Sequence, residues 1–352
     1  MELEIDDRIR TRKVKFFNNF TLDLKYDAVG SAFGFNFYFN SDNIELKELA
    51  CIGHYHICRI KHNGELLLTG YILSEDFTDS SKKEFTSFSG YSKPGVLEDC
   101  QIPPSLYPLQ SDGLTLKEIA TKFCSKFDFK IVIDPLVSSL MNQAIDETTA
   151  KDGQTIKSYL SELCAQKNII ISHTPEGDLF FTRAKTKQAP IISFESGKTG
   201  FTDMKLSFNG QAMHSEITVI KQASEEDDNA GQSTIKNPYV PYVFRPKVLT
   251  QNSGTDNDTE KAARNALSEE LQNLKIVIET DKWEIAGKVI KPNNIVSILN
   301  PNVYLYKKTN FFIESVTLKG DNTSLTATLN CVLPEVYNNE IPKYIFAGIN
   351  LH

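Results

Sequence analysis

The sequence predicts a mostly β, α+β fold in which two β-rich regions flank a duplicated helix–strand unit. The duplication is visible directly, because residues 112–117 (DGLTLK) recur 40 positions later as residues 152–157 (DGQTIK). Short runs with alternating apolar and aromatic residues precede the repeat, and short β-branched runs follow it. A match at one fixed offset marks a repeated supersecondary unit, and alternation marks strands.

Each copy of the repeat predicts a turn, a helix and a strand. The Asp-Gly pairs favour turns because glycine adopts positive φ without a steric cost. Thr115 and Thr155 stand at helix N-cap positions, and Glu118 completes a capping box with Thr115. A buried helical face is predicted by the apolar positions, which are Leu116, Ile119, Ala120, Phe123 and Phe127 in the first copy and Ile156, Tyr159, Leu160, Leu163 and Cys164 in the second. Strands are expected at 130–133 and 168–172, with a hairpin turn at 175–178 leading into 179–181.

The region before the repeat predicts five or six short strands, enough for a small barrel or sandwich. The Asn63-Gly64 pair is a strong hairpin signal. Closure into a barrel would remove the exposed edges of an open sheet. The expected strands are 14–17, 21–26, 33–39, 54–60, 65–73 and 84–90.

The region after the repeat predicts a second set of strands, interrupted by a long excursion. The excursion contains a polar acidic run at 222–231 and a polar stretch at 250–258, both expected to be flexible, and then a helix at 260–274. The expected strands are 191–194, 205–208, 215–221, 276–280, 295–299, 304–306, 311–319 and 325–333. The predicted division is therefore 1–98 (β-barrel-like), 99–186 (α/β), 187–222 plus 275–336 (second β-barrel-like domain), 223–274 (loop and helix excursion) and 337–352 (C-terminal tail).

The overall composition is that of a globular protein. The 352 residues are 40% hydrophobic and 24% charged, with a net charge of −7, which argues against a nucleic-acid-binding surface over the whole protein. No apolar run reaches the ~20 residues of a membrane-spanning helix. The acidic N-terminus does not resemble a signal peptide, so we expect cytosolic synthesis, with the six cysteines reduced.

Four potential zinc ligands fall within eight residues: Cys51, His54, His56 and Cys58. Ligands two apart on one strand do not converge on a tetrahedral ion without a bend, so the pattern favours a barrel wall over a metal site.

The other candidates for chemistry are weaker. His173 and His214 lack the motifs of a nucleophile–base pair and are interpreted as surface or strand-end residues. The acidic run 225–228 lacks the ligand spacing of a calcium loop, and the aromatic alternation 33–39 is more typical of a core than of a platform that stacks sugars or bases. The sequence thus predicts no catalytic, cofactor-binding or metal-binding residues, no cofactor and no enzyme. It favours a structural or assembly role.

An ordered set of motifs resembles the Mu-type 43-kDa tail proteins of Mu-like prophages, the baseplate hub proteins of contractile-tailed phages. These motifs are residues 57–64 with 68–71, 87–92 followed by 96–100, the two Asp-Gly-x-Thr units with the hairpin at 177–179, 244–246, the helix from 260, 292–298 and 333–337. The chain departs from the family's pattern at Tyr91, where arginine is frequent, and at Val289-Ile290.

The resemblance implies a ring-shaped homotrimer with two β-barrel-like domains per subunit. The six domains of the trimer would let a three-fold hub bind a six-fold tail tube. The ring would join the tube to the central spike protein, and DNA would pass through its lumen without specific binding. Three copies would carry a net charge of −21. The hypothesis that follows is an acidic lumen, which would repel DNA because like charges repel. Such a protein would be assembled in the bacterial cytoplasm and reside in the virion baseplate. The alternatives are a cell-envelope hydrolase and a carbohydrate-binding β protein.

Overall fold

The structure, a computed structural model, divides into two compact units, Met1–Arg183 with Thr317–Thr326 and Ala184–Val316 with Ala327–His352. The described residues are 1–7, 9–14, 17–79, 84–146, 148–198, 200–221, 231–251, 258–321 and 323–346.

The first unit contains ten strands and five helices among its described residues. The strands are β1 (Glu2–Asp6), β2 (Thr11–Val14), β3 (Asn19–Lys25), β4 (Ala32–Tyr38), β5 (Ile57–His62), β6 (Glu65–Asp79), β7 (Glu84–Ser92), β8 (Ile131–Ile133), β9 (Ile170–His173) and β10 (Leu179–Thr182). The helices are α1 (Ile44–Leu49), α2 (Val96–Asp99), α3 (Leu116–Cys124), α4 (Ser138–Met141) and α5 (Ile156–Gln166).

The second unit is built from the remaining elements. Its strands are β11 (Ile192–Glu195), β12 (Asp203–Phe208), β13 (Glu216–Lys221), β14 (Gly231–Lys236), β15 (Pro246–Gln251), β16 (Leu274–Thr280), β17 (Glu284–Ile285), β18 (Lys288–Val289), β19 (Ile295–Asn300), β20 (Leu305–Asp321) and β21 (Leu325–Val332). Its helices are α6 (Thr259–Leu271) and α7 (Glu335–Asn338). The hairpin end of β20 and β21, residues 317–326, belongs to the first unit.

The large sheet of the first unit runs in the order β3-β4-β7-β6-β5-β1-β2, with the hairpin end of β20 beside β3. Alternate residues of β4 face inward, and Phe33, Phe35 and Phe37 are buried, so this aromatic run forms core as expected. The path does not return on itself within the described residues. The closed barrel that the sequence predicts is therefore not found, although the mostly β, α+β class is confirmed.

The duplicated unit folds around one core to which both helices contribute. Thr115 Oγ1 accepts a hydrogen bond from the Glu118 backbone N–H (3.2 Å), and Glu118 Oε2 accepts from the Thr115 N–H (2.8 Å), which confirms the capping box. Thr155 caps α5 through the Ser158 N–H (3.2 Å). The two helices pack beside a three-stranded sheet in the order β8-β10-β9, where β10 is parallel to β8 and antiparallel to β9. The apolar residues predicted for the helical faces are buried, apart from Phe127, which packs at the edge of this core.

The second unit contains two larger sheets and a two-stranded sheet, β17-β18, in its described part. One runs β12-β16-β21-β20, with β19 paired to β20 and β11 paired in parallel to β19. The other is β14-β13-β15, in which β13 and β15 are parallel.

The sequence does not predict β14 and β15, because this part of the excursion has the composition of a loop. One glutamine, one serine and one threonine hide the alternation in β14 (GQSTIK), and the pairing with β13 is non-local. The acidic run at 225–228 lies outside the described residues. The predicted helix at 260–274 ends earlier, at Leu271, because Leu274 already begins β16.

Every helix in the described part of the chain is too short or too polar to cross a bilayer.

Candidate functional site

The Cys–His cluster lies in a loop and not in a strand. His54 and His56 fall in the segment that precedes β5, so their placement in a barrel wall is wrong. The chain turns there because Gly53 and Tyr55 both have positive φ (79° and 49°), which is incompatible with an extended strand. Only Cys58 lies in the strand, where it is fully buried, and burial raises its pKa to about 12.

The side chains of this loop approach one another in pairs. Cys51 Sγ lies 3.2 Å from His54 Nε2, and the His54 and His56 ring centroids are 5.4 Å apart at an angle of 80°. Across the described residues, no group of three or more His, Cys, Asp or Glu side chains is placed to hold a metal ion. All six cysteines are free thiols.

His173 contacts a serine with the geometry of a nucleophile–base pair. Its Nε2 lies 2.6 Å from Ser31 Oγ, although 142 residues separate the two. The Ser31 side chain is 0% exposed, and its Oγ also accepts a hydrogen bond from the Lys25 N–H (2.9 Å). Burial lowers the pKa of His173. A hydroxyl without access to solvent does not receive a substrate, so this contact joins parts of the first unit and does not form an active site.

His214 belongs to a buried ionic cluster in the second unit. The Glu270 carboxylate, 5% exposed, accepts hydrogen bonds from the His214 backbone N–H (2.8 Å) and from Lys247 Nζ (3.1 Å), and its Oε1 lies 2.7 Å from His214 Nδ1. The three groups satisfy one another. This arrangement is typical of a structural ion cluster, in which a buried charge is retained because it is paired.

The first unit carries an apolar groove that the sequence did not predict. Its volume is about 550 Å³, and its apolar lining is Val14, Phe17, Phe37, Phe39, Leu46 and Leu49. One wall is α1, which begins where Asn43 Oδ1 accepts the Leu46 N–H (3.2 Å). The N-cap Asn43 followed by apolar residues at 46 and 49 was the available signal for this helix. An open groove of this size, with no titratable pair in its floor, is suited to binding apolar side chains.

The duplicated unit is the part of the chain that matches a known family in sequence. Residues 94–183 match the family described as "Baseplate hub protein gp44-like, second domain". The resemblance to baseplate hub proteins is confirmed. We refer to residues 94–183 as the hub domain, and it contains both Asp-Gly-x-Thr units and the hairpin at 175–178. A search of curated protein sequences finds no match.

Solved structures with a similar fold include phage tail proteins and a type VI secretion component. The 43-kDa tail protein of prophage MuSo2 from Shewanella oneidensis is 19% identical, with a TM-score of 0.80, over 95% of this chain and 98% of that one. The tail protein of Neisseria meningitidis MC58 is 17% identical, with a TM-score of 0.78, over 97% of this chain and 98% of that one. The c3393 protein of E. coli, a type VI secretion component, is 9% identical, with a TM-score of 0.59, over 98% of this chain and 80% of that one. At these identities the likeness establishes a shared fold.

Proposed function

We propose that this chain is the structural baseplate hub of a contractile phage tail, in which three copies form a ring that joins the tail tube to the central spike. The observation that carries the proposal is the fold of nearly the whole chain, which is that of a prophage tail protein of almost the same length. The hub domain at 94–183 supports the same role independently, through its sequence.

The proposed partners are the spike and tube proteins of the tail. The E. coli protein with this fold is described as a component of the type VI secretion system with structural similarity to the T4 tail proteins gp27 and gp5. Protein partners of this kind are recognised through large surfaces and not through a deep catalytic cleft.

A non-enzymatic role agrees with the chemistry of the described residues. The Ser31–His173 pair is buried, and the Glu270 cluster is internally satisfied. Neither arrangement leaves a reactive group facing a cavity that could admit a cell-envelope polymer, so neither of them favours the hydrolase alternative. We propose the virion baseplate as the location of the mature protein, with assembly in the bacterial cytoplasm.

The proposed domain division is the one that the sequence predicts: 1–98, 99–186, 187–222 with 275–336, the excursion 223–274 and the tail 337–352. The hub domain would then connect the two β-rich regions of each copy. Because two β-rich regions in three copies make six, such a ring would present a six-fold surface to the tube while keeping three-fold symmetry.

DNA is proposed to pass through the lumen without specific contacts. The net charge of −7 per copy supports this, because like charges repel and phosphate-neutralising contacts are what hold DNA on a protein. Measured affinity for double-stranded DNA at low salt should be negligible. Tight binding that weakens steeply with salt would contradict the acidic-lumen hypothesis.

The test of the hub proposal is the mass and shape of the purified protein. Multi-angle light scattering should give three times the mass of one chain, and negative-stain class averages should show a ring with an open centre. A stable monomer at micromolar concentration, or a particle without a central opening, would refute the proposed assembly.

A further inference from the structure

The loop between β14 and β15 presents three consecutive large apolar side chains to solvent. Tyr242 is 97% exposed, Val243 is 58% exposed and Phe244 is 79% exposed. Consecutive exposed apolar residues are disfavoured in a soluble monomer unless they bind something. We call residues 242–244 the apolar tip.

The base of the apolar tip is held firmly. The Arg245 guanidinium donates through Nη1 to the Gly210 carbonyl (2.6 Å) and through Nη2 to the Gln211 carbonyl (2.8 Å). The Arg245 backbone N–H donates to Ser215 Oγ (2.8 Å), and the Ser215 N–H donates to the Arg245 carbonyl (2.9 Å). A loop fixed in this way loses little conformational freedom on binding, so more of its apolar contact energy is retained.

The groove in the first unit has the properties that an apolar tip requires. Its floor contains the buried side chains of Phe37 and Leu49, and Phe17, Phe39 and Leu46 are partly exposed in its walls. Arg12 and Lys13 also line it.

We propose that the apolar tip of one copy inserts into the groove of the next copy and forms the contact that closes the ring. This inference rests on the proposed trimer. A cyclic trimer needs a heterologous interface, in which each copy contributes two different surfaces. The chain supplies such a pair, because it has a protruding apolar tip and an apolar groove. The segment 237–246 (NPYVPYVFRP) contains no carboxylate, so no acidic side chain of the tip is buried against the groove.

Two of the three residues of the tip, Tyr242 and Phe244, are aromatic types that are enriched in protein interfaces. Tyrosine is enriched among interface hot spots, and aromatic rings bury a large area with few rotatable bonds. The Tyr242 hydroxyl can remain hydrogen-bonded at the groove, because Asn18, Asn43 and Glu45 are among its lining residues.

The test combines charge substitutions with cross-linking in the full-length protein. The variants Phe244→Asp (tip) and Leu46→Glu (groove) should each raise the dissociation constant of the trimer, measured by sedimentation equilibrium, by about tenfold or more. Ile52→Asp is the matched control, because Ile52 is 71% exposed and does not line the groove. It should leave the mass unchanged. Circular dichroism of each variant confirms the fold.

The cross-link gives a readout that does not depend on destabilising the assembly. Chains carrying Phe244→Cys and Leu46→Cys together should form disulfide-linked trimers on mild oxidation, whereas chains carrying either substitution alone should not. If the wild type is a trimer but both charge variants remain trimeric and the cross-link fails, this inference is wrong and the hub proposal stands. If the wild type is a monomer, both are wrong.

Discussion

The carboxylate of Glu270 in α6 is bound at both oxygens by His214, through the backbone N–H to Oε2 at 2.8 Å and through Nδ1 to Oε1 at 2.7 Å. Lys247 of β15 reaches the same Oε1 at 3.1 Å. This cluster therefore joins α6 to β15, a strand that the sequence did not predict, and to the segment that precedes β13. Because Glu270 is buried, its carboxylate oxygens depend on these partners for their hydrogen bonds.

Replacement of Glu270 by alanine should destabilise the second unit by about 2 kcal/mol. Removing one member of a buried ion pair typically costs more, but His214 and Lys247 are each 31% exposed and are partly screened by water. Urea denaturation measures the change. Glu260→Ala is the matched control on the same helix, because Glu260 forms an exposed pair with Arg264, and it should cost no more than about 0.5 kcal/mol. Equal losses for the two variants would contradict a structural role for the cluster.

The two N-capping threonines of the hub domain should contribute unequally to the free energy of unfolding. Thr115→Ala removes a reciprocal capping box and should cost about 1–2 kcal/mol, whereas Thr155→Ala removes a single cap and should cost about 1 kcal/mol or less. Thr115→Ser keeps the acceptor oxygen and should be close to wild type. Denaturant titrations rank the three variants, and a larger loss at Thr155 than at Thr115 would refute the assignment.

Gly90 in β7 should not tolerate a side chain. A Cβ at this position would overlap the carbonyl oxygen of Tyr71 in β6 and press on the Phe33 ring. We expect Gly90→Ala to cost about 2 kcal/mol or more in thermal and urea unfolding, because the clash is with backbone. Gly34→Ala in β4 is the control, since an added Cβ there meets no described atom within 4 Å. A neutral Gly90→Ala variant would mean that the two strands are not paired in this register.

Stability should fall as the pH drops below about 6.5, in part because of His56. Its side chain is 3% exposed, and burial, followed by the charge of His54, lowers its pKa below the ordinary histidine value of 6.5. Between that lowered pKa and 6.5 the unfolded chain binds a proton that the folded chain does not, so the free energy of unfolding decreases with falling pH. His173, whose pKa is also lowered, adds to the same trend.

The His56→Phe variant tests this assignment. Its free energy of unfolding should change less between pH 7.5 and pH 5.5 than that of the wild type, because one of the two buried imidazoles is gone. Urea denaturation at a series of pH values measures the difference. Identical pH profiles for the two proteins would exclude His56 as a contributor.

Local patterns in the sequence were sufficient for the two capped helices of the hub domain, although they did not predict its short helices α2 and α4. Thr115, Thr155 and the Asp-Gly turns act within a few residues of themselves, so the caps, turns and helical faces were all predicted. The aromatic alternation of β4 likewise requires only its own period of two to indicate which residues are buried.

The candidate site was harder to predict because its parts are distant in the chain. The groove brings β2 and α1 together with β4 and β7, and none of these elements carries a motif for apolar binding. The predicted strand placement of His54 and His56 was wrong, because residues with positive φ at Gly53 and Tyr55 turn the chain before β5. Neither histidine therefore lies in the strand.

By itself, the sequence determined the class of fold, the duplicated unit, the caps and the resemblance to baseplate hub proteins. Only the tertiary structure decided that Ser31 meets His173, that β15 runs parallel to β13, and that the sheet of the first unit is open along its described path. The physical reason is the range of the interactions. Caps and turns are satisfied by backbone groups a few residues away, whereas strand order and buried polar contacts depend on the competition among all distant partners for the same backbone and side-chain groups.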